Sequence, residues 1–211
     1  MRQPGTEEIE KIFDKMSSRY DRDIGFIERL IFDGARSWAV SQARGEVIEI
    51  GVGTGLNLPL YGPSVTQVIG VDLSEGMLGV ARKRVAGQQL DGVELRHGDV
   101  QTLDLPDDSA DTVVSTLTFC SISDPLIASR QAYRVLRPGG RFVLAEHGPS
   151  TSAIGCAVMR AIEPLTTRFL ADHLTRDPVP YLKEAGLTVD EVHRGGRGGI
   201  MFRVLAHKDH G

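Results

Sequence analysis

Three carboxylates and three glycines recur at intervals that could assemble one binding pocket. Glu49 stands just ahead of Gly51, Gly53 and Gly55 in EVIEIGVGTG (46–55), Asp72 closes VIGVD, and Asp99 follows VELRHG. The apolar run before each acid has the length of a strand. Each acid therefore falls at a strand's carboxyl end, where open α/β sheets bind ligands. A backbone without Cβ can turn tightly and approach a ligand closely. An acid beside such a turn opposes a phosphate and suits a cation. The spacing is G-x-G-x-G, not the G-x-G-x-x-G that cradles a pyrophosphate. Asp72 at the end of a second strand can accept from both hydroxyls of a ribose, and Asp99 after a third can accept from the amino group of an adenine.

A cation, a ribose and an adenine without phosphate are the parts of S-adenosylmethionine, whose product after methyl loss is S-adenosylhomocysteine. A second set of polar residues follows the fourth and fifth strands. STLTFCSISDP (115–125) holds no Asn/Asp-Pro-Pro-Tyr/Phe, the motif that marks methylation of a nucleobase or glutamine amide. AEHGPS (145–150) and DHLTRD (172–177) supply Glu146, His147, Asp172, His173 and Arg176. His147 follows a strand that points at the pocket and is the expected proton acceptor, with His173 and Asp172 beside it as further catalytic candidates.

The elements that must position these groups alternate. VIEI (47–50), QVIGV (67–71), VELRH (93–97), DTVVST (111–116) and RFVLAE (141–146) read as short Val- and Ile-rich strands. Near-continuous apolar runs suit a parallel sheet covered on both faces. Ser74 is the expected N-cap of a helix over 75–86, and Asp124-Pro125 opens another over 125–136, which Pro138-Gly139-Gly140 ends before the next strand. Residues 7–40 are helical in pattern, with Ile9, Ile12, Phe13 and Met16, then Phe26, Ile27, Leu30 and Ile31, at helical spacing. The tail, 188–194 and 200–207, reads as two strands joined by a glycine turn. Residues 148–186 are expected to cover the acceptor site at the carboxyl edge of the sheet.

Composition narrows the partners. The 211 residues carry a net charge of −4, which argues against a polyanion partner such as nucleic acid. RGGRGG (194–199) reads as a turn. The two cysteines, Cys120 and Cys156, form no disulfide framework, and no C-x-x-C or His/Cys spacing marks a metal site. Cys120 is expected in the core. The N-terminal residues lack the apolar centre of a signal peptide, and no apolar run approaches the roughly 20 residues that span a bilayer. A cytoplasmic protein is expected.

Over residues 10–207 the chain resembles the class I, Rossmann-like SAM-dependent methyltransferases. EIGVGTG, VDLS-x-x-M, the Gly98-Asp99 pair and VLRPGG (135–140) carry the resemblance. It implies one methyltransferase domain over 1–211, with N-terminal lid helices in 1–44. The implied architecture is a three-layer sandwich around a seven-stranded, mostly parallel sheet with one antiparallel strand. It assigns Glu49, Gly51, Gly53 and Gly55 to the methionine end of the cofactor, Asp72 to the ribose, and Leu73 and Gly98 to the cofactor site. Met77, Asp99 and Val100 go to the adenine, and Thr116 and Leu117 to the pocket wall. Tyr20-Asp21 matches a pair in the lid of ubiquinone- and menaquinone-type relatives, which would place Tyr20 over the cofactor. TLTFCSI, VLRPGGRF, EH and LTRD resemble bacterial phosphatidylethanolamine N-methyltransferases and the methyltransferase-like thiol S-methyltransferases. A small-molecule acceptor is expected, a thiol first. A phospholipid or small amine, or a quinol ring carbon, is the alternative, and a SAM- or SAH-binding module is the non-enzymatic rival. An NAD-dependent oxidoreductase is disfavoured by the glycine spacing and Glu49.

Overall fold

The computed structural model describes residues 4–27 and 34–210. Seven strands form one sheet: β1 (Gly45–Ile50), β2 (Val65–Asp72), β3 (Val93–His97), β4 (Ala110–Thr116), β5 (Leu136–His147), β6 (Thr188–Gly195) and β7 (Met201–His207). Their order is β3-β2-β1-β4-β5-β7-β6, and β7 alone runs opposite to the other six. This is the expected mostly parallel sheet, closed by the tail hairpin.

Side-chain alternation along the strands explains why both faces are covered. Ile48, Ile50, Val113, Phe142 and Leu144 enter one core, with Ala128, Ala132 and Val135 of α5 (Pro125–Val135) and Leu182 of α7 (Val179–Glu184). Their neighbours Val47, Val114, Val143 and Ala145 enter the other core. There they meet Ala35 and Ala39 of α3 (Ala35–Ser41) and Leu78 of α4 (Glu75–Gln88).

The helix starts follow the expected capping. Ser74 Oγ accepts from Met77 N at 3.1 Å, and Asp124 Oδ1 accepts from Leu126 N and Ile127 N at 3.0 and 3.1 Å. Pro138-Gly139-Gly140 does not separate a helix from a strand. β5 already begins at Leu136, and pairing steps from Ala110↔Leu136 to Thr112↔Arg141, so the three residues form an irregularity inside the strand.

The N-terminal stretch is several helices, among them α1 (Thr6–Met16) and α2 (Tyr20–Ile27) ahead of α3. Leu30 and Ile31, and the side chains of Phe26 and Ile27, lie outside the described residues. Asp14 of α1 accepts from Ser74 Oγ at 2.5 Å and Gly76 N at 2.9 Å, which seats α1 on the start of α4. Asp21 of α2 accepts from Thr54 Oγ1 at 2.6 Å and from Arg84. Within 148–186, α6 (Ala153–Leu170) packs against α1 and buries none of its side chains. No described helix is long and apolar enough to cross a membrane.

Candidate active site

The carboxyl ends of β1, β2 and β4 and the turn after β3 open into one pocket under α1 and α2. Gly51, Gly53, Asp72, Leu73, Met77, Asp99, Val100, Thr116 and Leu117 line it, as does Tyr20 from α2. The space, including its open mouth, is about 800 Å³.

Two glycines shape the floor. Gly51 has φ +69°, and a Cβ there would lie 2.2 Å from Thr118 Cγ2. Gly53 has φ +56° with nothing within 4 Å of a built Cβ, so its backbone faces open space. Its N–H donates to Asp72 Oδ2 at 2.7 Å, while Ser74 N donates to Asp72 Oδ1 at 2.8 Å. These bonds aim the carboxylate from both sides and leave lone pairs for a ligand diol. Burial pushes the Asp72 pKa up to about 6; its two backbone donors and His97 pull it down, and Asp14 adds to the rise.

At the third strand's end Asp99 accepts from Gln101 N at 2.8 Å and Gln101 Nε2 at 3.0 Å. Gln101 Oε1 accepts from Asp124 N at 3.0 Å, tying this wall to α5. Leu117, with φ +54°, turns the chain after β4 so that Thr118, Ser121, Ile122 and Ser123 also line the pocket.

Glu49, Gly55 and Gly98 do not reach the lining. Glu49 is buried one layer below it, accepting from Asn57 Nδ2 and Tyr61 OH, each at 2.8 Å. Burial raises its pKa to about 7 against the pull of Tyr61, Arg36 and Asn57. Arg36, which the sequence reading missed, does line the pocket and donates to Asn57 Oδ1 at 2.7 Å. The cation on the wall is thus linked to the buried carboxyl group through Asn57. The sequence signal for it was slight, an arginine in a short helix ahead of the first strand.

The acceptor candidates divide. His147 is 8% exposed, lies 3.0 Å from Asp172 and does not line the pocket. Glu146 accepts from His147 N at 2.9 Å and Cys120 N at 3.3 Å. Cys120 is buried, as expected, and burial pushes its thiol up to about 12. His173 turns elsewhere, 3.7 Å from Glu163 of α6. Arg176 donates to the carbonyls of Phe119 and Ile122 and braces the loop after β4.

An open sheet of this order, with an acid-rimmed pocket at its carboxyl edge, defines a Rossmann-like enzyme of the class I methyltransferase type. Residues 48–144 match the family model described as a methyltransferase domain. A phosphatidylethanolamine N-methyltransferase of Cereibacter sphaeroides is 36% identical over 66% of this chain and 71% of its own length. A demethylmenaquinone methyltransferase of Listeria monocytogenes is 30% identical over 78% and 74%. Among solved structures, a SAM-dependent methyltransferase of Thermotoga maritima, described as a possible histamine N-methyltransferase, superposes with a TM-score of 0.72. It is 24% identical, and the match covers 94% of this chain and 99% of that one. The chain belongs to the class I SAM-dependent methyltransferases: it is an enzyme, and its cofactor is S-adenosylmethionine.

Proposed function

We propose that the protein methylates a small-molecule nucleophile, a thiol first, presented from the side of Thr118, Ser121 and Ser123. The carrying observation is the polar cluster of Cys120, Glu146, His147 and Asp172 directly behind that wall. The pocket fits the cofactor on its own evidence. The space over Gly53 is one a Cβ would enter, and Asp72 is held with both oxygens turned by backbone donors.

S-adenosylmethionine supplies an electrophilic methyl group on a sulfonium. In this reading Asp72 accepts from the ribose hydroxyls, and the Arg36 guanidinium pairs with the amino-acid carboxylate. Leu73, Met77 and Val100 pack the adenine, with Asp99 and Gln101 at its polar edge. Ile9, Phe13 and Tyr20 close over the site and exclude water, which strengthens every electrostatic contact inside. Glu49 acts from below by orienting Asn57 and Arg36. The remaining task is to hold a nucleophile in line and ease loss of its proton. A free thiol has a pKa near 8.5, so modest help suffices.

A second reading, a phospholipid amine or quinol ring carbon, is favoured by the names of the relatives and by α6. Ile154, Val158, Ile162, Leu165 and Phe169 recur at 3–4 residue spacing and are all exposed. Transfer of labelled methyl from S-adenosylmethionine to soluble thiols, amines and phenols, and to lipids in vesicles, tests both. The expected result is turnover with a small thiol. Turnover confined to vesicle lipids would replace the first reading with the second. Bound S-adenosylhomocysteine with no transfer to any of these acceptors would overturn both readings of the acceptor.

Two further results are expected. S-adenosylhomocysteine affinity is steady above about pH 6 and falls below it, because protonation of Asp72 removes an acceptor for the ribose. Without ligand the same raised pKa acts on stability with the opposite sense: ionising Asp72 costs stability as pH rises from about 4 to about 6. Calorimetry between pH 5 and 8 checks the first; a flat profile would take Asp72 out of the ribose site. Hydrogen exchange in 6–27 should slow when S-adenosylhomocysteine is added, and Asp21→Ala should speed it by releasing α2 from Thr54 and Arg84. Equal protection with and without ligand would make α1 and α2 a fixed cover.

A further inference from the structure

Behind the acceptor-side wall, three side chains from separate segments converge. Cys120 comes from the loop after β4, His147 is the last residue of β5, and Asp172 follows α6. The cysteine Sγ, an imidazole nitrogen and a carboxylate oxygen all lie within 4.8 Å of one another. His147 Nε2 is 3.0 Å from Asp172 Oδ1, an ion-pair contact, and that buried oxygen has no other partner. A metal ion drawing in all three atoms would replace this ion pair, taking the imidazole neutral and the thiol as thiolate. We propose that Cys120, His147 and Asp172 bind a divalent metal ion of the zinc class, with the fourth tetrahedral position open.

The donor set selects the metal. Thiolate and imidazole suit a borderline-soft ion, whereas magnesium and calcium need shells made of oxygen. Zinc bonds of about 2.0–2.3 Å at tetrahedral angles put ligand atoms roughly 3.3–3.5 Å apart, so the observed spread closes with small side-chain shifts. The surrounding bonds hold the three backbones together. Glu146 accepts from the amides of Cys120 and His147, His173 N donates to Cys120 O at 3.0 Å, and Thr166 Oγ1 donates to Asp172 O at 2.8 Å. Such outer bonds orient metal ligands and are part of a working site. Arg176, the nearby cation, is engaged by the carbonyls of Phe119 and Ile122. Sequence spacing could not show the site, because each segment contributes one ligand.

The metal's role in catalysis rests on the thiol reading given above. Ser121 lines the pocket, and its Oγ is 3.5 Å from Cys120 Sγ, so the site adjoins the acceptor wall. With the Ser121 side chain turned aside, an acceptor thiol in the pocket would take the open position and release its proton to solvent. A lone pair of its sulfur would then form the new carbon–sulfur bond as the methyl–sulfonium bond breaks, leaving S-adenosylhomocysteine and the methyl thioether.

The test uses the full chain, stripped with a chelator and titrated with Co²⁺ alone and with Zn²⁺ alone. About one equivalent of Co²⁺ per chain is expected, with a near-ultraviolet thiolate-to-cobalt band. Cys120→Ser should abolish the band. Asp172→Asn, which keeps the side chain's shape, should weaken Zn²⁺ binding by more than about tenfold, since loss of an outer partner alone costs that much. Cys156→Ser should leave the band unchanged. Circular dichroism and S-adenosylhomocysteine binding report whether each variant is folded. No stoichiometric binding by the wild-type chain, cobalt bound without a thiolate band, or a band that persists in folded Cys120→Ser would each overturn the site. The acceptor screen is a separate readout. Metal bound without thiol methylation defeats the thiol reading and leaves the site, and thiol methylation by a chain that binds no metal does the reverse.

Discussion

Asp72→Ala is expected to weaken S-adenosylhomocysteine binding by about 1.5–3 kcal/mol, roughly 10- to 150-fold, with the fold intact. The carboxylate is one of the few charged groups on the pocket wall, and its two oxygens are aimed by Gly53 N and Ser74 N. Removing it deletes a charge-assisted pair to the ribose and leaves the two backbone donors without their acceptor. Asp72→Asn separates these effects. It keeps the side chain's shape and one acceptor oxygen for the backbone, but presents an amide where a second acceptor was needed. Its loss should therefore fall between wild type and Asp72→Ala. Isothermal calorimetry at pH 7.5 decides, and unchanged affinity in Asp72→Ala would refute the ribose assignment.

The difference between Asp72 and Glu49 shows what the sequence could and could not convey. Both acids lie at the end of a short apolar strand, and the family resemblance assigns both to the cofactor. The register of β1 against β2 places Glu49 opposite Gly70 and against Val114 of β4, inside the sheet, where Asn57 and Tyr61 reach it. Asp72 ends an edge-ward strand and points into the opening. Strand ends are legible from apolar runs. Whether an acid there meets ligand or core depends on partners far along the chain.

The same limit explains Arg36. It belongs to a short helix ahead of β1, and only the packing of α3 across β4 and β5 brings it to the pocket. The strands were readable because Val and Ile runs bounded by Gly, Asp and Pro leave few alternatives. Pro138-Gly139-Gly140 misled because those residues normally end elements. Here the antiparallel tail supplies partners, Gly139 N to Lys208 O and Lys208 N to Gly140 O, that keep the irregular segment in the sheet.

His147→Ala is expected to lower methyl transfer to a thiol by roughly 10²–10⁴-fold at neutral pH while S-adenosylhomocysteine binding is retained. The imidazole is one layer behind the lining, against Asp172, so its loss should not disturb the cofactor wall. Its proposed effect is on ionisation of the acceptor, as a proton acceptor or through a metal held with Cys120 and Asp172. In either case the deficit belongs to the thiol's own equilibrium. It should narrow as pH rises past the acceptor's pKa of about 8.5, where thiolate forms without help. A merely structural histidine would give a deficit that does not follow the acceptor. Comparing two thiols of different pKa makes this sharp: the pH at which the variant recovers should move with the thiol. For an amine acceptor recovery should come only near the higher ammonium pKa. Wild-type turnover by folded His147→Ala across the whole range would remove the residue from the chemistry. A deficit that stays constant for both thiols would reduce it to a support for the loop after β4.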